Sequence, residues 1–121
     1  MKLLLFIMSL AAVAVGAVKQ LSPDELAKLL EKKDNLFFLD VREPEEIERY
    51  GSLPGYVNIP LGQLEKRLNE VPKDKLIVTA CQRGGRAGKA AELLEARGYK
   101  VVGACGLEGY TGKREFPKDK R

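Results

Sequence analysis

The sequence contains no histidine among its 121 residues. This absence excludes a Cys-His pair and a Ser-His-Asp triad as the basis of nucleophilic catalysis, and it excludes histidine as a metal ligand. The sequence indicates neither a metal site nor an organic cofactor. A reactive side chain in this protein therefore has to be activated by charge and by backbone amides.

The sequence also lacks a large excess of either positive or negative charge. The 21 basic and 17 acidic residues leave a formal net charge of only +4, which is too small to indicate binding to nucleic acid. A local basic bias appears in residues 113–121, which we interpret as a solvated terminal tail without a function of its own. No nucleic acid partner is therefore expected.

The chain begins with Lys2 and an apolar run over residues 3–18, which ends in the small-residue pattern Val15-Gly16-Ala17. A basic start, an apolar stretch and small residues at its end are typical of a secretory signal peptide. The run is short for a membrane-spanning helix, which needs about 20 residues. An uncleaved membrane anchor is therefore the weaker alternative.

We predict that residues 1–17 are this signal peptide and that residues 18–121 form one domain, with a core over about 20–112 and the basic tail behind it. The protein is then expected to be periplasmic or secreted. After removal of the signal peptide, no stable membrane insertion is expected.

Segments with helical periodicity alternate with short apolar segments typical of strands along the rest of the chain. Helices are predicted to begin at Pro23 and to cover 44–49, 61–71 and 87–97, and strands are predicted at 36–41, 56–59, 75–80 and 99–103. Such alternation indicates an α/β fold with a central, mostly parallel sheet and helices on both of its faces. Ligands of these sheets collect at the carboxyl ends of the strands.

One of these strand ends carries the run Cys81-Gln82-Arg83-Gly84-Gly85-Arg86. A thiol is a strong nucleophile only as its thiolate, which cations, a helix amino terminus and convergent N–H groups stabilise. We expect both glycines to adopt positive φ angles, so that successive amides and the helix predicted to follow point at one anion. We also expect Arg83 and Arg86 to contact an anion. The run thus predicts a nucleophilic Cys81 in an anion-binding loop.

The second cysteine, Cys105, leaves two interpretations open. Two cysteines in an exported chain often form a disulfide, but a permanent bridge would abolish the reactive thiol predicted at Cys81. Cys105 is then either a small residue of the loop after the last strand or a resolving thiol that reaches Cys81 across neighbouring strand ends.

Several motifs occur in the order and at the spacing of one known family. They are Asp40-Val41-Arg42-Glu43-Pro44-Glu45, Leu53-Pro54-Gly55 with Asn58-Ile59-Pro60-Leu61, the run 81–86 with Gly88 and Ala90-Ala91, Gly98-Tyr99, and Leu107-Glu108-Gly109. In these motifs the chain resembles the single-domain rhodaneses, in particular their small exported members. The resemblance implies a three-layer α/β domain that acts as a sulfurtransferase.

The resemblance also implies a mechanism. Cys81 would attack the outer sulfur of thiosulfate or a similar small anion, release sulfite, hold the sulfur as a persulfide and pass it to cyanide or a thiol. Asp40 and Arg42 would support the loop as an ion pair or hydrogen-bonded bracket. The donor would be bound by the five residues that follow the nucleophile, namely Gln82, Arg83, Gly84, Gly85 and Arg86.

The loop itself departs from the family at one place. Family loops commonly carry arginine directly after the nucleophile, where this chain has Gln82. Related phosphatases use a seven-residue loop from cysteine to arginine, so the six residues from Cys81 to Arg86 favour a bound sulfur atom over a phosphate.

Two functions of other classes stay open at this stage. One is a sulfur carrier or binding module that a partner protein loads and that turns over thiosulfate poorly. The other is a thiol redox protein that uses Cys81 and Cys105. In each case we expect a monomer.

Overall fold

The structure is a computed structural model, and it describes residues 18–32 and 34–120. The predicted signal peptide, residues 1–17, lies outside the described residues and stays a prediction. No helix in the described ranges is long and apolar enough to cross a membrane. The helices and strands are, in chain order, α1 (Pro23–Glu31), β1 (Leu36–Asp40), α2 (Pro44–Tyr50), β2 (Val57–Asn58), α3 (Leu61–Leu64) continued by a 3-10 helix (Glu65–Glu70), β3 (Leu76–Cys81), α4 (Gly85–Ala96), β4 (Lys100–Gly106) and a 3-10 helix (Pro117–Lys120).

The strands form one four-stranded sheet in the order β2-β1-β3-β4, and every pair of neighbours is parallel. The predicted α/β fold with a parallel sheet flanked by helices is therefore confirmed. The β1 and β3 strands are interior, which explains why both are almost continuously apolar. Because all strands run the same way, Asp40, Cys81 and Gly106 end at one edge of the sheet.

Each face of the sheet packs on its own apolar cluster. On one face Leu39, Ile77 and Ala104 contact the small residues of α4 and the side chains of the segment that begins with α3. On the other face Phe38 and Val78 contact Leu26 of α1 and Leu107. Period-2 alternation along the strands separates these two sets, so the three-layer arrangement follows from the apolar pattern.

The helix predicted over residues 61–71 is divided in the structure. The α-helical turn Leu61–Leu64 passes into the 3-10 helix Glu65–Glu70, with Arg67 at φ −118°. Leu68 of the 3-10 helix and Val71, which follows it with an extended backbone, both join the same apolar cluster. The spacing of the apolar residues therefore identified the buried face but not the helix type.

The last strand is longer than predicted, because it continues past Gly103 to Gly106. A Cβ atom at Gly103 would lie 2.8 Å from Leu21 Cγ and 2.9 Å from the carbonyl oxygen of Lys19. The glycine is thus a point of close approach for the chain segment before α1, and not the end of the strand. As a result Cys105 lies within a strand, and its interpretation as a loop residue is wrong.

The basic tail also differs from the solvated segment that we expected. Glu115 pairs with Ser52 through two backbone hydrogen bonds of 2.8 Å. The guanidinium of Arg114 donates to the carbonyl oxygen of Leu107 at 2.6 Å, and Lys120 Nζ donates to that of Tyr56 at 2.7 Å. Residues 114–120 therefore fold back onto the domain, because their polar groups form hydrogen bonds with carbonyl oxygens and a backbone amide at its surface.

Candidate active site

Cys81 is the last residue of β3 and is 1% exposed. It forms part of the floor of a surface depression of about 350 Å³ at the carboxyl edge of the sheet. The depression is lined, besides Cys81, by Glu46, Gln82, Arg83, Gly85 and Arg86. Four of the five loop residues predicted to bind the donor therefore line the depression that contains the thiol, whereas Gly84 is not part of this lining.

Two backbone amides converge on the sulfur of Cys81. The N–H of Gly84 donates to Sγ at 3.0 Å, and the N–H of Ala87, in the first turn of α4, donates to it at 3.3 Å. Gly84 makes this possible with φ +101°, whereas Gly85 begins the helix without a positive φ. The expectation of a positive φ is thus confirmed for Gly84 and wrong for Gly85. Two amides, one of them in the first turn of a helix, are thus aimed at one sulfur, which is a geometry that suits an anion.

Side chains outside the loop hold this geometry in place. Thr79 Oγ1 donates to the carbonyl oxygen of Ala87 at 2.8 Å, so it anchors the helical turn whose amide reaches the thiol. Gln20 Nε2 donates to the carbonyl oxygen of Gly84 at 3.0 Å. Sequence analysis missed both residues. A lone threonine in a buried apolar strand was a usable signal for the first, but nothing in the sequence indicated the second.

The carboxyl end of β4 supports the loop from the other side. A Cβ atom at Gly106 would lie 2.6 Å from the carbonyl carbon of Arg83 and 2.9 Å from its Cα. Beyond Gly106, the amides of Leu107 and Glu108 donate to the carbonyl oxygens of Cys81 and Gln82 at 2.8 and 3.0 Å. The loop backbone is therefore fixed against a strand end that has no side chain at the point of contact.

Asp40 and Arg42 form a buried ion pair next to the loop, with exposures of 1% and 0%. Arg42 Nη2 lies 2.7 Å from Asp40 Oδ2, and Ser52 Oγ donates to the same carboxylate oxygen at 2.6 Å. Arg42 Nη2 also donates to the carbonyl oxygen of Gly51 at 2.8 Å. Its other terminal nitrogen, Nη1, donates to Gln82 Oε1 at 3.2 Å. The pair thus holds the side chain of the residue that follows the nucleophile.

The two loop arginines both have carboxylate partners. The terminal nitrogens of Arg86 donate to the two carboxylate oxygens of Glu46 at 2.8 and 2.9 Å. These bonds to Arg86 lower the pKa of Glu46 to about 2. The side chain of Arg83 is 81% exposed and lies 3.8 Å from Glu108. The roles of Arg83 and Arg86 as donor ligands stay predictions.

Cys105 lies on the opposite face of the sheet from Cys81. It is the register partner of Ala80, so its side chain shares the face of Ala80 and belongs to the other apolar cluster. Both cysteines are free. Burial, together with the nearby Cys81, raises the pKa of the Cys105 thiol to about 12. A disulfide or a direct thiol exchange between the two would require the sheet to open.

The described residues contain no group of three or more acidic or cysteine side chains that could hold a metal ion. What the site offers chemically is one thiol at the base of a depression, with two amides aimed at its sulfur.

Comparison with known proteins places this arrangement in context. The family model of the rhodanese-like domain matches residues 22–112. The candidate sulfurtransferase YtwF of Bacillus subtilis is 32% identical over 98 residues, which cover 78% of this chain and 94% of YtwF. The candidate sulfur carrier protein YrkF of the same organism is 36% identical over 102 residues, which cover 83% of this chain but only 55% of YrkF.

A solved structure gives the same result for the fold. The crystal structure of a rhodanese-like domain protein from Staphylococcus aureus is similar, with a TM-score of 0.70 and 31% sequence identity. The match covers 81% of this chain and 97% of that protein.

Proposed function

The chain belongs to the rhodanese-like family, and on this premise we propose that it is a sulfurtransferase that carries sulfane sulfur as a persulfide on Cys81. Its relative YtwF is itself a candidate sulfurtransferase. The observation that carries the proposal is the convergence of the Gly84 and Ala87 amides on Cys81 Sγ. These donors stabilise a thiolate before the reaction and suit the anionic outer sulfur of a persulfide after it.

The proposed reaction has two steps. In the first, the Cys81 thiolate attacks the outer sulfur of thiosulfate or a similar donor, the sulfur–sulfur bond of the donor breaks, and sulfite leaves with the bonding electron pair. In the second, cyanide or an acceptor thiolate attacks the outer sulfur of the Cys81 persulfide, and the thiolate of Cys81 is restored. Neither step needs a metal, an organic cofactor or a second cysteine.

Mass spectrometry of the intact protein tests the proposal directly. After incubation with thiosulfate, and separately with an organic persulfide, the protein should gain the mass of one sulfur atom. Cys81→Ser should abolish the gain, and the matched control Cys105→Ala should keep it. If Cys81→Ser gains sulfur as the wild type does, or if neither donor adds sulfur to the wild type, the proposal is wrong.

A sulfur carrier without turnover is a second candidate, because YrkF is a candidate carrier. Steady-state formation of thiocyanate from thiosulfate and cyanide separates the two. Turnover supports the enzyme, whereas persulfide loading with negligible turnover supports the carrier. The geometry argues against the thiol redox alternative, since Cys81 and Cys105 lie on opposite faces of the sheet.

We further propose that the protein works as a monomer outside the cytoplasm after removal of residues 1–17, on small anionic donors and thiol or cyanide acceptors. The apolar leader pattern supports export. Amino-terminal sequencing of protein recovered from periplasmic and extracellular fractions should begin at Val18. Recovery of the full-length chain from the membrane fraction would support an anchor instead.

A further inference from the structure

The charges around the thiol balance one another. Three guanidiniums belong to the loop or contact its residues, and each faces a carboxylate: Arg42–Asp40 at 2.7 Å, Arg86–Glu46 at 2.8 Å and Arg83–Glu108 at 3.8 Å. The three positive and three negative formal charges sum to zero. The surroundings of the thiol are therefore neutral, although the chain as a whole has a net charge of +4.

Two of these pairs leave little positive charge to offer a ligand. Arg42 is fully buried and is held by Asp40 and by backbone carbonyl oxygen. Both terminal nitrogens of Arg86 are engaged by Glu46. The third cation, Arg83, is 81% exposed, so solvent and salt screen its field.

Gln82 lines the depression but adds no charge to it. Its Oε1 accepts a hydrogen bond from Arg42 Nη1 at 3.2 Å. Within the described residues, the side-chain NH₂ of Gln82 donates to no protein group. The residue directly after the nucleophile therefore presents a neutral hydrogen-bond donor to whatever binds in the depression.

A neutral site treats two donor classes differently. Thiosulfate carries two negative charges, and its attack by a thiolate brings three negative charges together. An organic persulfide, R–S–S⁻, carries only one negative charge on its sulfur atoms. Without net positive charge at the site the dianion is disfavoured, because repulsion between charges a few ångströms apart is strong where water is partly excluded.

The surface also offers room for an organic group. A second depression of about 390 Å³ adjoins the first and shares Glu46, Gln82 and Arg83 with it. Its further lining consists of Glu45, Arg49, Glu108 and Tyr50, of which Tyr50 is 43% exposed. Two carboxylates, one guanidinium and one aromatic ring suit a zwitterionic organic group, which an amino-acid persulfide has and thiosulfate lacks.

From the neutral surroundings and the adjoining depression we infer that the sulfur donor of this protein is a small organic persulfide of the amino-acid type, in preference to thiosulfate. The inference rests on the proposed function and narrows its substrate class. The Cys81 thiolate attacks the outer sulfur of R–S–S⁻, the donor's sulfur–sulfur bond breaks, and R–S⁻ leaves with the electron pair and takes up a proton. The outer sulfur stays on Cys81 as its persulfide.

The test compares single-turnover loading of Cys81 by cysteine persulfide and by thiosulfate, followed by quenched mass spectrometry. Each rate constant is divided by that of the same donor with N-acetylcysteine, which removes the intrinsic reactivity of the donor. The normalised preference for cysteine persulfide in the wild type should be about tenfold or more. An equal or reversed preference overturns the inference.

Two variants probe the charge balance itself. Glu46→Gln removes the carboxylate that holds Arg86. The side-chain carbonyl oxygen of the new glutamine can still accept the hydrogen bond from the backbone N–H of Glu43, which Glu46 accepts at 2.9 Å. Gln82→Arg adds a cation directly. Each should shift the donor ratio toward thiosulfate by about tenfold at low salt, and the shift should shrink as ionic strength rises. Glu48→Gln on the same helix is the matched control and should leave the ratio unchanged.

Two outcomes distinguish a failure of the proposed sulfurtransferase function from a failure of the inference about the donor. If neither donor loads Cys81, the proposed function fails together with the inference. If both donors load Cys81 but the ratio in Glu46→Gln and Gln82→Arg stays at the wild-type value, only the inference about the donor fails.

Discussion

Replacing Asp40 by Asn should destabilise the protein far more than the same loss of a carboxylate does at an exposed position. The Asp40 carboxylate accepts from the side chain and the backbone N–H of Arg42 and from Ser52 Oγ, all of them buried. Asparagine keeps the volume and one acceptor but removes the negative charge. A guanidinium with 0% exposure would then remain without its counter-ion.

The magnitude follows from that burial. Removing one partner of a buried ion pair costs about 3–5 kcal/mol of unfolding free energy, because the other charge stays uncompensated in a medium that solvates it poorly. A domain of this size has a total stability of about 5–15 kcal/mol. A loss of this order should lower the melting temperature by about 15 °C or more.

Urea denaturation followed by circular dichroism measures this loss. The matched control is Glu70→Gln, which removes a carboxylate from the exposed pair Arg67–Glu70 and should cost far less than Asp40→Asn, because water and salt screen the exposed pair. The double variant Asp40→Asn with Arg42→Met should recover part of the loss, because it removes the unpaired charge as well. A loss below about 1 kcal/mol for Asp40→Asn would refute the reasoning that the pair is buried and mutually dependent.

Three other perturbations address the loop, the second thiol and the loop ion pair. Gly106→Ala should cost about 1–3 kcal/mol and slow persulfide loading, because the new methyl group would overlap the backbone of Arg83. Iodoacetamide should label Cys81 first in the folded protein and reach Cys105 only in urea, since burial raises the pKa of the Cys105 thiol to about 12. The contribution of Glu46 to stability should be complete above about pH 4.5 and fall as the pH drops toward its folded pKa of about 2.

These outcomes are checked against internal references. Gly62→Ala has open space around its new methyl group, so it should neither destabilise the protein nor slow loading, and equal effects of both glycine variants would contradict the overlap argument. Equal labelling rates of the two cysteines before unfolding would contradict both the raised pKa of the Cys105 thiol and the position of Cys81 at the surface depression. For Glu46, the gap in unfolding free energy between wild type and Glu46→Gln should narrow from pH 6 to pH 3, and a constant gap would contradict the lowered pKa.

The layers of the fold could be predicted from sequence because each strand and helix carries a clear periodic signal. The cap of α1 shows this well, since Ser22 and Glu25 exchange the two hydrogen bonds of a capping box and the helix begins at Pro23 as predicted. Prediction failed where a distant contact decided the local structure. The sequence predicts a strand end at Gly103, but the strand continues through this glycine, over which the segment before α1 passes closely.

The same division holds for the site. The position of Cys81 at a strand end and the turn at Gly84 follow from local sequence, and both were predicted. The partners of the arginines did not follow, because Glu46 and Arg86 are 40 residues apart in the chain and meet only through the fold. A pattern of cations therefore indicated where an anion could bind, but it did not indicate the net charge that the anion would encounter.

The hydrogen bond from Gln20 to the carbonyl oxygen of Gly84 spans 64 residues of sequence. This hydrogen bond connects the turn beside the nucleophile to the segment that follows directly after the predicted signal peptide, residues 1–17. In a chain that begins at Val18, removal of three residues would delete this hydrogen bond. A fusion partner joined directly to Val18 would lie two residues from Gln20, so the rate of persulfide loading in such a protein would measure how much this hydrogen bond contributes to the geometry of the turn.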